Sequence, residues 1–177
     1  MITKWNFQTP TEEELHKRDR LASQLGLSPV VCLLLVQRGL TTVEEVKKFF
    51  KPSLNDLHDP FLMPDMEKAV KRLNKALGNK EKILIYGDYD VDGTTAVSLV
   101  YKYLRPYSSV LDYYIPDRYD EGYGISYKGI NYARENGITL VISLDCGIKA
   151  IEKIEYAKQL GIDFIICDHH MPDDTLP

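Results

Sequence analysis

Seven residues, Gly87-Asp88-Tyr89-Asp90-Val91-Asp92-Gly93, carry three carboxylates between two glycines. Like charges this close repel unless a cation lies among them, and the repulsion grows as the local dielectric falls. The turn therefore reads as a cradle for a metal ion. Further along, Asp145-Cys146-Gly147 and Asp168-His169-His170 add oxygen and nitrogen donors. Oxygen ligands joined by one or two imidazoles suit manganese or magnesium better than zinc or copper. Taken alone, Asp145 would be a helix cap and either histidine a surface residue. Found together, Asp90, Asp92, Asp145 and His169 are candidate ligands of one centre.

What must bring them together is a set of strand ends. Apolar runs at Lys82 to Tyr86, Val110 to Ile115, Leu140 to Leu144 and Asp163 to Cys167 read as strands, with a helix after each of the first three. The second of those helices is expected to start at the cap Ser126 and close at Gly137, and the third to run from about Lys149 to Leu160. Strands separated by helices imply right-handed crossovers and a parallel sheet covered on both faces. All turns that follow the strands then lie along one sheet edge, where ligands bind in such folds. The expected architecture is α/β, a doubly wound, mainly parallel sheet preceded by a small helical region.

The first part of the chain is helical in pattern. Thr11 with Glu14 makes a capping box, Ser28-Pro29 an N-cap and first-turn proline with Gly39 as terminator, and Thr42 starts a third helix stopped by Pro52. Residues 51–64 hold three prolines and read as a connector. Asp65 then caps a helix ended by Gly78. Residues 1–64 are thus expected to form a helical region with its connector, and 65–177 the α/β domain.

Composition narrows the class. With 44% hydrophobic and 27% charged residues in 177, the chain has the make-up of a folded globular protein. The longest apolar stretch, Val30 to Val36, is far short of a membrane span, and the N-terminus lacks a signal peptide's order. A cytoplasmic location without membrane contact is expected. Cys32, Cys146 and Cys167 show no paired spacing and read as buried small apolar residues. The formal net charge of -4 does not advertise nucleic-acid binding. Two divalent ions would cancel about four of the negative charges locally, so the sign does not exclude it.

Other phosphate sites are excluded by spacing. Five residues separate Gly87 from Gly93 and no lysine follows, so the turn is not a P-loop, nor is it a G-x-G-x-x-G fingerprint. A receiver-like site of clustered aspartates would leave the paired histidines unexplained.

The acidic turn, the strand-terminal Asp145-Cys146-Gly147 and the triplet Asp168-His169-His170 resemble the first three motifs of the DHH phosphoesterases. Within that superfamily the chain is similar to the single-stranded-DNA-specific exonucleases. Supporting text is Gln37-Arg38-Gly39 with Thr42-Val43-Glu44-Glu45, then Asp59-Pro60-Phe61, and Pro116-Asp117-Arg118 leading to Glu121-Gly122-Tyr123-Gly124. The resemblance implies a two-metal phosphodiesterase that degrades single-stranded DNA from the 5′ end with Mn2+ or Mg2+, in DNA repair and recombination. By motif position, Asp90 and Asp92 would each favour one ion, Asp145 would bridge, and His169 would complete one shell. His170 would contact the scissile phosphate and Asp168 orient the histidine pair. Asp88 is an additional ligand or an acceptor behind the ligands, the second being preferred. Arg118 and Lys128 would guide substrate phosphates, and Tyr119 or Tyr123 could stack on bases. The pyrophosphatase branch carries a histidine four residues before the first ligand aspartate, where this chain has Tyr86.

The family also has a fourth motif with another aspartate, and a separate C-terminal substrate-binding domain, neither of which is in this sequence. The expectation is therefore a fragment of a longer enzyme, lacking that domain and carrying an incomplete metal site. Two alternatives stay open: a DHH-type oligoribonuclease or cyclic-dinucleotide phosphodiesterase, and a degenerate DHH domain that serves as a binding scaffold. The helical region favours the exonuclease over the first, and the intact ligand set speaks against the second.

Overall fold

The computed structural model describes residue 4 and residues 9–177. The chain divides into two compact units, Met1–Leu62 and Met63–Pro177. In the first, α1 (Glu12–Leu25), α2 (Pro29–Gln37) and α3 (Val43–Phe50) enclose Leu21, Cys32, Leu35, Val36 and Val46. Both expected capping boxes form: Thr11 and Glu14 satisfy each other's backbone N–H groups, as do Thr42 and Glu45. Ser28 holds the N-cap position of α2 but makes no side-chain bond, so Pro29 alone marks that start. Two short 3-10 turns, Leu54–Asp56 and Pro60–Leu62, order the proline-rich connector.

In the second unit, β1 (Ile83–Gly87), β2 (Leu111–Tyr114), β3 (Leu140–Leu144) and β4 (Asp163–Cys167) form one parallel sheet in the order β2-β1-β3-β4. The central strands β1 and β3 are buried at every position. Period-two alternation sends their side chains to two cores. Ile83 and Ile85 of β1, with Leu140, Ile142 and Leu144 of β3, pack beneath α4 (Met66–Gly78) and α5 (Val91–Leu104). Leu84, Tyr86 and Val141 pack on the other face beneath α6 (Tyr127–Glu135) and α7 (Ile151–Gln159). The doubly wound α/β architecture is therefore as the sequence implies. Chain direction across the sheet reverses between β1 and β3, which makes that gap the switch point.

Two local expectations fail for physical reasons. Asp65 occupies the N-cap of α4 with φ 58 and makes no side-chain cap bond, because capping needs the extended backbone that a left-handed residue lacks. Cys167 is exposed, unlike buried Cys32 and Cys146, since it ends the edge strand β4. Burial pushes the Cys146 thiol up to about 12, so it behaves as an inert core group.

The sheet edge opposite the switch-point turns is tied by one side chain. Arg72 of α4 donates from Nε to Asp163 Oδ2 at 2.6 Å and from Nη2 to Glu81 Oε2 at 2.8 Å. Glu81 also accepts from Thr139 Oγ1 at 2.8 Å, so α4 is linked to the leading ends of β1, β3 and β4. The Arg72 guanidinium holds the Glu81 carboxyl below its ordinary value of 4.5. Replacing Arg72 by Met is expected to cost about 2 kcal/mol in urea unfolding at neutral pH, short of the value for a fully buried pair. Because the Glu81 value is depressed in the folded state, its share of that difference is present above pH 4.5. It should shrink as pH falls through the depressed value.

Candidate metal centre

The site is built on the ends of β1, β3 and β4. At the end of β1, α5 presses so closely that a Cβ on Gly93 would lie 2.5 Å from the Asp88 carbonyl oxygen and 2.6 Å from its nitrogen. Only glycine permits this approach, and it drives Asp88 inward. Asp88 is fully buried. Its Oδ1 accepts a long bond, 3.4 Å, from Gly124 N–H, while Oδ2 has no partner among the described residues. Burial pushes its carboxyl up, against the N–H groups of Tyr89 and Gly124, and the charges of Asp90 and Asp145 push it further in the same direction. An orphaned oxygen in such surroundings is costly unless something cationic meets it.

At the end of β3, Asp145 adopts φ 60, the left-handed region that a non-glycine residue enters at a cost of about 1–3 kcal/mol. Its N–H donates to Cys167 C=O at 2.8 Å, and its Oδ1 lies 3.1 Å from His169 Nε2. At the end of β4, Asp168 Oδ2 accepts from Ile148 N–H at 2.9 Å, while Oδ1 meets His170 N–H at 3.1 Å and His170 Nδ1 at 2.6 Å. Burial pushes the Asp168 carboxyl up, but those N–H groups and the imidazole outweigh it and hold it low. Bonding to Asp168 raises His170.

One donor atom from each of Asp145, His169 and His170 falls within 4.8 Å of the others, a group that could hold a metal ion. One carboxylate and two imidazoles can hold a divalent cation, and Asp88, whose Oδ2 is unpartnered, is not among the gathered donors. Asp90 and Asp92 lie outside that group. The Asp90 carboxylate caps α5, accepting from Gly93 N–H at 2.9 Å, and Asp92 is exposed in the first turn of the helix. Arg118 stacks over the Tyr89 ring at 5.3 Å, and Lys128 pairs with Asp120 at 2.7 Å on the surface. Tyr119 is exposed, whereas Tyr123 turns its hydroxyl inward to the Asp145 carbonyl at 3.1 Å.

Sequence reasoning did not assign the support beneath this edge. Glu121 accepts from Asp117 N–H at 2.9 Å, from the Tyr114 hydroxyl at 2.9 Å and from Ser126 Oγ, so one carboxylate folds the whole β2–α6 loop. Tyr86 donates to Gly124 C=O at 3.0 Å and accepts from Ser126 N–H at 3.1 Å, tying the same loop to β1. The only local signal was a glutamate and a serine flanking Gly-Tyr-Gly, which names no partners.

Fold and site together define an α/β domain with a carboxylate and imidazole centre at its switch point. A model of the DHH family, N-terminal domain, matches residues 82–177, and the chain belongs to the DHH family. It is 41% identical over 98% of its length to the single-stranded-DNA-specific exonuclease RecJ of Bacillus subtilis, and 35% identical over 85% to that of Escherichia coli. The chain spans only 22% and 26% of those proteins. Among solved structures it resembles exonuclease RecJ bound to manganese, with 30% identity and TM-score 0.60, covering 66% of this chain and 30% of that one. RecJ of Thermus thermophilus in complex with Mn2+ has the same fold, with TM-score 0.66, 24% identity and coverage of 92% and 22%.

Gly93→Ala is expected to separate α5 from the end of β1 and to leave little folded protein, as judged by cooperative thermal unfolding. Glu121→Ala strands two hydroxyls and a backbone N–H, and should cost about 2–3 kcal/mol in urea unfolding.

Proposed function

We propose that this chain carries the catalytic domain of a metal-dependent phosphodiesterase that digests single-stranded DNA from its 5′ end. The observation that supports the reading best is the gathering of Asp145, His169 and His170 at the ends of β3 and β4. The RecJ relatives, named for this substrate, and the structure of exonuclease RecJ bound to manganese support the same choice.

In this reading Asp90, Asp92, Asp145 and His169 hold Mn2+ or Mg2+, and Asp88 is an acceptor behind them. Bound divalent ions supply Lewis acidity to the phosphoryl group and a more acidic water. The chain's own residues then position the substrate. Asp168 at Nδ1 and Tyr123 at Nε2 hold the His170 ring beside the scissile phosphate. Arg118, braced flat on Tyr89, meets a second phosphate with its planar fork, and Lys128 exchanges Asp120 for a third. Tyr119 is free to stack on a base. The cell's use for such an activity is DNA repair and recombination, in the cytoplasm. No described helix is long and apolar enough to cross a membrane.

Two hard cations take about six ligands each, and the four or five groups available here leave many positions to water. This chain by itself is accordingly a weak metal binder with little or no turnover, completed by further domains of a longer protein. Calorimetric titration with Mn2+ should give weak binding. Tight binding of two ions, abolished in Asp145→Ala, would overturn that part of the reading.

For the activity itself, 5′- and 3′-labelled single strands, duplexes and cyclic dinucleotides are incubated with Mn2+ and the longer protein that carries this domain. Shortening of single strands from the 5′ end is the expected result. Faster hydrolysis of cyclic dinucleotides would favour a small-substrate phosphodiesterase, and strand binding with no turnover under any condition would favour a scaffold.

A further inference from the structure

We infer that Tyr123 is a positioning residue of this centre, acting through its phenol oxygen on the imidazole of His170 and on the backbone of Asp145. The inference rests on the phosphodiesterase reading and deepens it. Tyr123 sits between Gly122 and Gly124, whose φ values of 76 and 84 lie in the left-handed region. That pair of reversals is what turns a side chain from a surface loop back over the strand ends. The loop cannot drift, because Glu121 and Tyr86 fix it on either side of the tyrosine.

The phenol oxygen lies 3.1 Å from the Asp145 carbonyl and 3.3 Å from His170 Nε2. The ring stands edge-on to His170 at 5.9 Å and to Tyr89 at 6.3 Å. His170 is thereby held at both ends, by Asp168 at Nδ1 and by Tyr123 at Nε2. A single hydrogen bond at Nδ1 would leave a half-exposed imidazole free to swing about that contact, whereas the second fixes the plane of the ring. The phenol's one hydrogen goes to the Asp145 carbonyl, so toward the ring its oxygen is the acceptor, taking a bond from His170 Nε2–H. The same hydroxyl anchors the carbonyl of Asp145, a residue whose left-handed backbone must be held by its neighbours.

These contacts argue against Tyr123 as a platform for bases. A stacking tyrosine offers an open face and a solvated hydroxyl, which describes Tyr119 at 95% exposure. Tyr123 spends its hydroxyl on the site instead, so its influence on turnover runs through the alignment of His170.

Tyr123→Phe keeps the ring and its edge contacts while removing the tether. In the longer protein that carries this domain, with single-stranded DNA and Mn2+, kcat should fall about tenfold to a hundredfold, the scale of a misplaced group, with KM unchanged. In the metal-free chain, the 15N and 1H resonances of the His170 ring should shift in the variant, with thermal unfolding unchanged. A rise in KM at constant kcat would mean a substrate contact, and unmoved His170 resonances would mean no tether. Either result overturns the inference. If neither form of the longer protein turns over DNA, the phosphodiesterase reading fails, and the His170 resonances still decide the role of Tyr123. Should the variant not fold, ring-to-ring Overhauser contacts between Tyr123 and His170 in the unmodified chain decide it, and their absence overturns the inference.

Discussion

Everything at the functional edge follows from a carboxylate forced out of water. Gly93 lets the first turn of α5 lie against the end of β1, and the geometry leaves Asp88 no exposed position. Two more aspartates, Asp90 and Asp145, are near enough to oppose its ionisation. A protein fold normally avoids burying like charges together, since each loses hydration and gains repulsion. That this one assembles them at the ends of two neighbouring strands, β1 and β3, identifies the place where a cation lowers the energy of the folded state. The parallel sheet contributes by direction alone: with every strand pointing the same way, the turns after β1, β3 and β4 share one edge.

Around this unfavourable core of charge the molecule arranges ties that do not depend on a cation. Asp168 joins the end of β4 to the turn after β3 through Ile148, and Asp145 joins that turn to β4 through the Cys167 carbonyl. Glu121 and Tyr86 hold the β2–α6 loop over the same edge. At the far edge Arg72 binds helix α4 to the start of the sheet. The two ends therefore divide the labour: one gathers opposite charges and stabilises, the other gathers like charges and is available for binding.

The fold was largely legible because its signals are local. The bounds of β3 and β4 match the apolar runs that announce them, and those of β1 and β2 lie within a residue. Thr11, Thr42 and Ser126 cap their helices through bonds to residues three positions away, a reach that sequence displays directly. Asp65 and Cys167 misled because their states depend on a left-handed backbone and on an edge position. Glu121 was seen only as part of a motif, without a role, because its partners lie on β2, on the loop and ahead of α6, and only the folded chain brings them together. The motifs likewise place donors at strand ends without saying which way each carboxylate turns. Asp90 turns toward its own helix, while Asp145 turns toward the histidines.

The backbone of Asp145 carries a last implication. At φ 60 a glycine would sit with less strain, so backbone conformation by itself gives no reason for an aspartate there. The residue is one at which the needs of the native conformation and the needs of the site conflict. The conflict is resolved in favour of the carboxylate, with Cys167 and Tyr123 holding the strained peptide on either side. Selection for stability alone would erode this position first, which makes its retention a sensitive gauge of whether a related domain still performs chemistry or has become a mere scaffold.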